Sequence, residues 1–137
     1  MKRYITSAVC LILILFIASR IQNISSCEID FQKDQMVISG PDGTDPIVID
    51  YQSIRSVTLL DSYTAGDPVS GITKNRLLYG RFRNDAYGEY ELCVLPSISS
   101  AIEIRTDTGV FVFNHESQEV TAELCSSLVD FVSRKQQ

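Results

Sequence analysis

Between residues 28 and 113 apolar and polar positions alternate in short runs, each closed by a turn signal, which is the pattern of half-buried strands. Ile29 and Phe31 alternate with Glu28, Asp30 and Gln32. Met36-Val37-Ile38 follows the turn at Lys33-Asp34. Gly40-Pro41-Asp42-Gly43 then turns the chain into Pro46–Asp50, and Ile54–Leu60 predicts a fourth strand. Residues 61–75 are polar and contain Gly66, Pro68 and Gly71, so a loop is expected there. Arg76–Arg83 reads as partly extended, and Asp85-Ala86-Tyr87-Gly88 turns into Glu89–Leu95. In Ala101–Thr106, Ile102 and Ile104 are expected inward, Glu103 and Arg105 outward. Asp107-Thr108-Gly109 is a hairpin signal, and Val110–Phe113 is apolar on both faces, so something must cover its second side.

The period changes near the C-terminus. Val120, Leu124, Leu128, Phe131 and Val132 make a stripe at helical spacing. Glu116 and Glu119 at its start and Arg134 and Lys135 at its end suit the helix dipole, and Asn114 and Ser117 are the N-cap candidates. This helix is the expected cover for Val110–Phe113. The fold class that follows is mainly β, with about seven antiparallel strands closed by a C-terminal helix.

The first residues obey a different rule. From Tyr4 to Ile21 the only charge is Arg20, after Lys2 and Arg3, and as a helix this stretch rises about 27 Å, near the hydrocarbon thickness of a bilayer. Residues 1–26 are therefore read as an N-terminal membrane segment and residues 27–137 as one β domain. Three membrane readings are open. The preferred one is a retained single-pass anchor. A cleaved signal peptide lacks a clean pair of small residues after the apolar core. Ile24-Ser25-Ser26-Cys27 is similar to a bacterial lipobox, which would make Cys27 the acylated residue, although Arg20, Gln22 and Asn23 interrupt the apolar run before it. Lys2, Arg3 and the amino terminus outnumber Arg20, which places the domain on the extracytoplasmic face.

Charge narrows the range of partners. The chain of 137 residues carries a formal net charge of −5, and setting aside Lys2, Arg3 and Arg20 leaves the domain at about −8. A domain of that sign repels nucleic acid and anionic lipid, so nucleic-acid binding is not expected.

The order of elements resembles the bacterial pleckstrin-homology-like family. The residues that carry the resemblance are Ile49-Asp50-Tyr51-Gln52-Ser53-Ile54-Arg55-Ser56-Val57, Tyr79-Gly80-Arg81-Phe82-Arg83 with Tyr87-Gly88-Glu89-Tyr90, and Ile102–Thr106 with Val110–Asn114. It spans residues 28 to 133. It implies a strongly bent, seven-stranded sheet plugged by the C-terminal helix, a membrane-attached setting, and no cofactor. Eukaryotic relatives of that fold bind phosphoinositides through basic residues at the first hairpin. The corresponding turn here, Gln32-Lys33-Asp34-Gln35, has one lysine beside an aspartate, so phosphoinositide binding is not carried over.

Candidate chemistry is sparse. His115, the single histidine, has no nucleophile elbow, phosphate loop or zinc spacing around it and reads as a surface or capping residue. Cys27, Cys93 and Cys125 lack metal spacing. Free, partly buried thiols are the preferred state, with a Cys93–Cys125 disulfide the alternative in an exported domain. Lys74, Arg76, Arg81 and Arg83 form the one basic concentration, with no acid from 74 to 83. It is either a solvated loop paired to Asp85 and Glu89 or a docking patch for an acidic or phosphate-bearing partner. Asp42, Asp45, Asp61 and Asp67 have no calcium-loop spacing. The functional expectation is a non-catalytic, membrane-tethered interaction module that binds a protein partner or ligand at the cell envelope. The rival is a β-barrel carrier of a small ligand.

Overall fold

The structure is a computed structural model that describes residues 27–74 and 76–136. The expected anchor, Tyr4–Ile21, lies outside the described residues. Within them no helix is long and apolar enough to cross a membrane.

The domain is mainly β with a C-terminal helix, as the periodicities require. Its strands are β1 (Glu28–Phe31), β2 (Gln35–Ser39), β3 (Ile47–Asp50), β4 (Ile54–Leu60), β5 (Asp67–Pro68), β6 (Ile72–Lys74), β7 (Leu77–Asn84), β8 (Gly88–Val94), β9 (Ala101–Thr106) and β10 (Val110–Phe113), followed by helix α1 (Gln118–Lys135). They form two sheets. The first is an antiparallel β1-β2-β3 meander; the second runs β4-β9-β10-β8-β7-β5, with β6 also on β7. A 3-10 turn, Tyr51–Ser53, carries the chain from one sheet to the other. The Asp50 side chain caps it by accepting from the amide of Gln52 at 2.9 Å.

Three expectations change. The strands are not one antiparallel run, because β10 pairs with β8 in parallel, Phe113 opposite Cys93. The β9-β10 hairpin is inserted between β4 and β8, an arrangement that alternation along the chain cannot encode. The expected loop at 61–75 contributes two short strands to the edge of the second sheet.

The third change concerns burial. The second sheet is covered on both faces, and the register sorts its side chains cleanly. Tyr79, Cys93, Phe113, Ile102 and Ile104 share one face and pack with Met36, Ile38, Ile49, Tyr51 and Leu128 from the first sheet, the 3-10 turn and α1. Phe82, Tyr90, Leu92, Val94, Ala101 and Val112 share the other, covered by Tyr63 and Ala65. The cover on the second side of β10 is thus the 63–65 segment, while α1 packs on β4 and β9. That segment is held by its main chain: Tyr90 Oη donates to the carbonyl of Ala65 at 2.7 Å, and Asn84 Nδ2 to that of Thr64 at 2.8 Å.

Ser117 is the N-cap of α1, accepting from the Val120 amide at 3.1 Å. Asn114, the other candidate, is buried and does something else. Its Oδ1 accepts from the Leu95 amide at 2.8 Å, and its Nδ2 donates to the carbonyls of Leu95, Ile98 and Ser100 at 3.1–3.3 Å. It closes the 95–100 loop together with Tyr63, whose Oη lies 3.3 and 3.2 Å from the carbonyls of Leu95 and Ile98. The buried line of α1 is Thr121, Cys125, Leu128 and Val132, with Leu124 and Phe131 at its flank, so the stripe is turned by about one residue from the expected one. Thr121 can occupy it because its Oγ1 donates to the carbonyl of Ser117 at 2.7 Å, which satisfies the hydroxyl locally.

Candidate functional site

The cysteines resolve first. Cys27 is disulfide-bonded to Cys93, 66 residues away, and Cys125 is free and buried. This corrects the Cys93–Cys125 alternative and the expectation of free thiols. It also corrects the lipobox reading of Cys27, since a sulfur bonded to Cys93 has no valence left for a thioether. Cys93 lies on the face of β8 opposite Tyr90, Leu92 and Val94 and packs into the larger core.

A half-open cleft of about 840 Å³ lies between the two sheets. One wall is the Gly43–Val48 segment that leads into β3. The floor comes from β7 and β8 through Tyr79, Arg81 and Glu91, and Thr108–Phe111 closes one end. Val48 and Ile72 on its lining are 47% and 38% exposed. Asp45, Glu89 and Glu91 outnumber Arg81 along the lining, so the cleft is net acidic.

Its shape depends on two glycines. The chain at Val69 and Ser70 bends over β7, both amides donating to the Arg81 carbonyl at 2.9 and 3.2 Å. Gly80, at φ +114°, permits this approach, because a Cβ there would stand 2.9 Å from the Cα of Gly71. In the sequence Gly71 reads only as a loop signal and Gly80 only within the family resemblance, and periodicity alone passes over their close approach. Val48, Ile72, Glu91 and Phe111 had no distinguishing mark as site residues.

The basic concentration does not stay together. Arg81 pairs with Glu91 at 3.4 Å and stands 4.0 Å from Glu89, and Arg83 pairs with Glu89 at 2.6 Å. These are cross-strand pairs between β7 and β8. Lys74 is opposite Leu77 at the other end of β7, about 13 Å of strand from Arg81. Arg76, at φ +67°, occupies the turn between. Arg81 reaches the cleft; Lys74, Arg76 and Arg83 are not on its lining.

A second polar cluster was missed. Glu103 was expected outward, and parity does put it on the face opposite Ile102 and Ile104, but that face is covered and Glu103 is buried. Its carboxylate accepts from Tyr87 Oη and from Arg105 Nε at 2.8 Å, and the Arg105 guanidinium lies 5.5 Å from the centroid of the Tyr87 ring. Burial, then the hydrogen bond and negative charge of Glu103, push Tyr87 up to about 12. Burial does the same for neighbouring Tyr90, also to about 12. The cluster is fully partnered and offers no free base or nucleophile.

His115 sits just ahead of the N-cap. Its amide donates to Thr121 Oγ1 at 3.1 Å, and its carbonyl accepts from the Ser117 amide at 2.6 Å. Among the described residues no group of three or more His, Cys, Asp or Glu is placed to hold a metal ion. No family model, curated protein or solved structure matches this chain.

Proposed function

We propose that the chain is a non-catalytic, membrane-tethered interaction module that holds an envelope partner in the cleft between its two sheets. The cleft carries the proposal. It is of ligand-binding size, it keeps Val48 and Ile72 exposed, and its net-acidic lining suits a partner that presents apolar and basic groups. The Cys27–Cys93 disulfide supports an oxidising, extracytoplasmic setting, in agreement with the charge distribution about Tyr4–Ile21. The pleckstrin-homology-like reading is supported by a strand-rich domain with a C-terminal helix and is weakened by the parallel β8/β10 pair. The function is therefore argued from the cleft and not from family.

The carrier reading has less support. Inward of the cleft the core is filled by Met36, Ile38, Ile49, Ile102, Ile104 and Phe113, each 1% exposed or less. A photocrosslinking amino acid at Val48 or Ile72 in intact cells tests the proposal, with Ser126, exposed on α1, as a site away from the cleft. A defined adduct at the cleft positions, lost on Glu91→Lys, is the expected result. Equal labelling at all three positions overturns it, and a small molecule retained in the native mass spectrum of the purified chain moves the reading to the carrier.

A further inference from the structure

The free edges of the two sheets differ in a way that points to a second copy of this chain. Most are blunted by the devices that keep β-sheets from pairing edge to edge. β1 carries Glu28 and Asp30 in four residues. β3 is also four residues long and is preceded by Pro46, which has no amide to donate. β5 is two residues and ends in Pro68; β6 is three and ends in Lys74. β4 is seven residues, pairs among the described residues with β9 alone, and from Ser56 to Leu60 contains no charge and no proline. Its one irregularity is the bulge between Ile54 and Ser56.

The phase of the ladder states which groups that edge presents. The Thr106 amide donates to the Gly109 carbonyl in the β9-β10 hairpin, and the Asp107 amide donates to the Ser53 carbonyl. Because bonding direction alternates along a strand, Arg105, Glu103 and Ala101 turn their main-chain groups to β4. Their partners Ser56, Thr58 and Leu60 answer them. Val57 and Leu59 then direct amide and carbonyl outward, and the Leu59 side chain beside them is 41% exposed.

We propose that two copies join β4 to β4, antiparallel, about a two-fold axis at Thr58. Three symmetric registers let Val57 and Leu59 bond outward, and their side chains separate them. An axis at Val57 sets Arg55 against Leu59 of the second copy. An axis at Leu59 sets Val57 against Asp61. The axis at Thr58 pairs Val57 with Leu59 and Arg55 with Asp61, each twice by symmetry, and Thr58 with Thr58 once, on the axis. Asp61 is exposed and has no ion pair among the described residues, whereas Arg55 already binds Asp107 at 2.6 Å and accepts a second carboxylate on its open side. The uncharged stretch Ser56–Leu60 pairs with its own copy free of the like-charge repulsion that a domain near −8 would otherwise impose. The seam is short, so its occupancy depends on the high local concentration that a common membrane tether provides. The inference makes no use of the cleft.

Thr58→Cys in the full chain, reconstituted in phosphatidylcholine vesicles with copper–phenanthroline as oxidant, is the test. Facing positions of a non-hydrogen-bonded antiparallel pair lie about 4.5 Å apart at Cα, within the range a disulfide spans. The expected result is a covalent dimer several-fold above the wild-type baseline, with the 58–58 peptide identified by mass spectrometry. Thr73→Cys, on β6 at the far edge, should stay at baseline. Adding Val57→Pro removes an outward amide without touching the β9 ladder and should abolish the cross-link; adding Leu59→Lys should do the same by placing charge in the seam. Folded Thr58→Cys protein that cross-links no more than Thr73→Cys overturns the proposal. So does a cross-link that survives Leu59→Lys, or one that forms only to a different protein.

Discussion

Tyr79 and Gly40 fit together as ring and floor: a Cβ on Gly40 would lie 2.6 Å from three atoms of the Tyr79 ring. The ring comes from β7 in the second sheet and Gly40 from the turn after β2 in the first. With its ring seated there, Tyr79 Oη donates to the carbonyls of Asp45 at 2.7 Å and Ile38 at 3.1 Å. One side chain thus ties the wall of the cleft to its floor. Tyr79→Phe should cost about 1–3 kcal/mol in urea unfolding, the range for stranding buried acceptors. Gly40→Ala should cost a similar amount by displacing the ring.

The disulfide closes a span of 66 residues between the start of the domain and β8. Cys93→Ala, or reduction of the wild type, should lower stability by about 2–5 kcal/mol, read as a drop in Tm. Thiol titration of the denatured, unreduced chain should find Cys10 and Cys125 reactive and Cys27 and Cys93 silent. Reaction of all four would contradict the pairing.

Asn114→Ala removes one acceptor and three donated bonds around residues 95–100 at a buried site. A loss of about 2–4 kcal/mol is expected, along with faster amide exchange confined to that loop. By contrast, Arg83→Ala breaks an exposed pair with Glu89 and should change stability by less than about 1 kcal/mol.

All five tyrosines of the domain are held protonated above their usual value of 10, with burial the leading cause at each. For such a group the folded state holds its proton more tightly than the unfolded state. The stabilisation is complete below pH 10 and is lost as pH rises toward about 12, the value for Tyr87 and Tyr90. Alkaline titration followed by tyrosinate absorbance should show ionisation delayed in the folded protein and unfolding within that window. In Glu103→Gln, Tyr87 should ionise at lower pH, though still above 10, because burial remains after the negative charge is gone. An unchanged titration would exclude the Tyr87–Glu103 bond.

The sequence by itself determined the elements. Strand alternation placed β1–β4, β7–β10 and the helix to within a residue or two, because a two-residue period and a helical stripe are local consequences of burying one face of each element. It also separated the two faces of β9, with Ile102 and Ile104 on one and Glu103 on the other. Tertiary structure decided what lay against each face. Nothing local says that residues 63–65 fold over the second sheet, so Glu103 reads as exposed and is buried. Nothing local inserts the β9-β10 hairpin between β4 and β8, or brings Cys27 to Cys93. Those depend on which distant surfaces meet, as do the cleft and the open edge of β4. A residue's own neighbours in sequence set where its side chain points, and only the rest of the chain sets what it finds there.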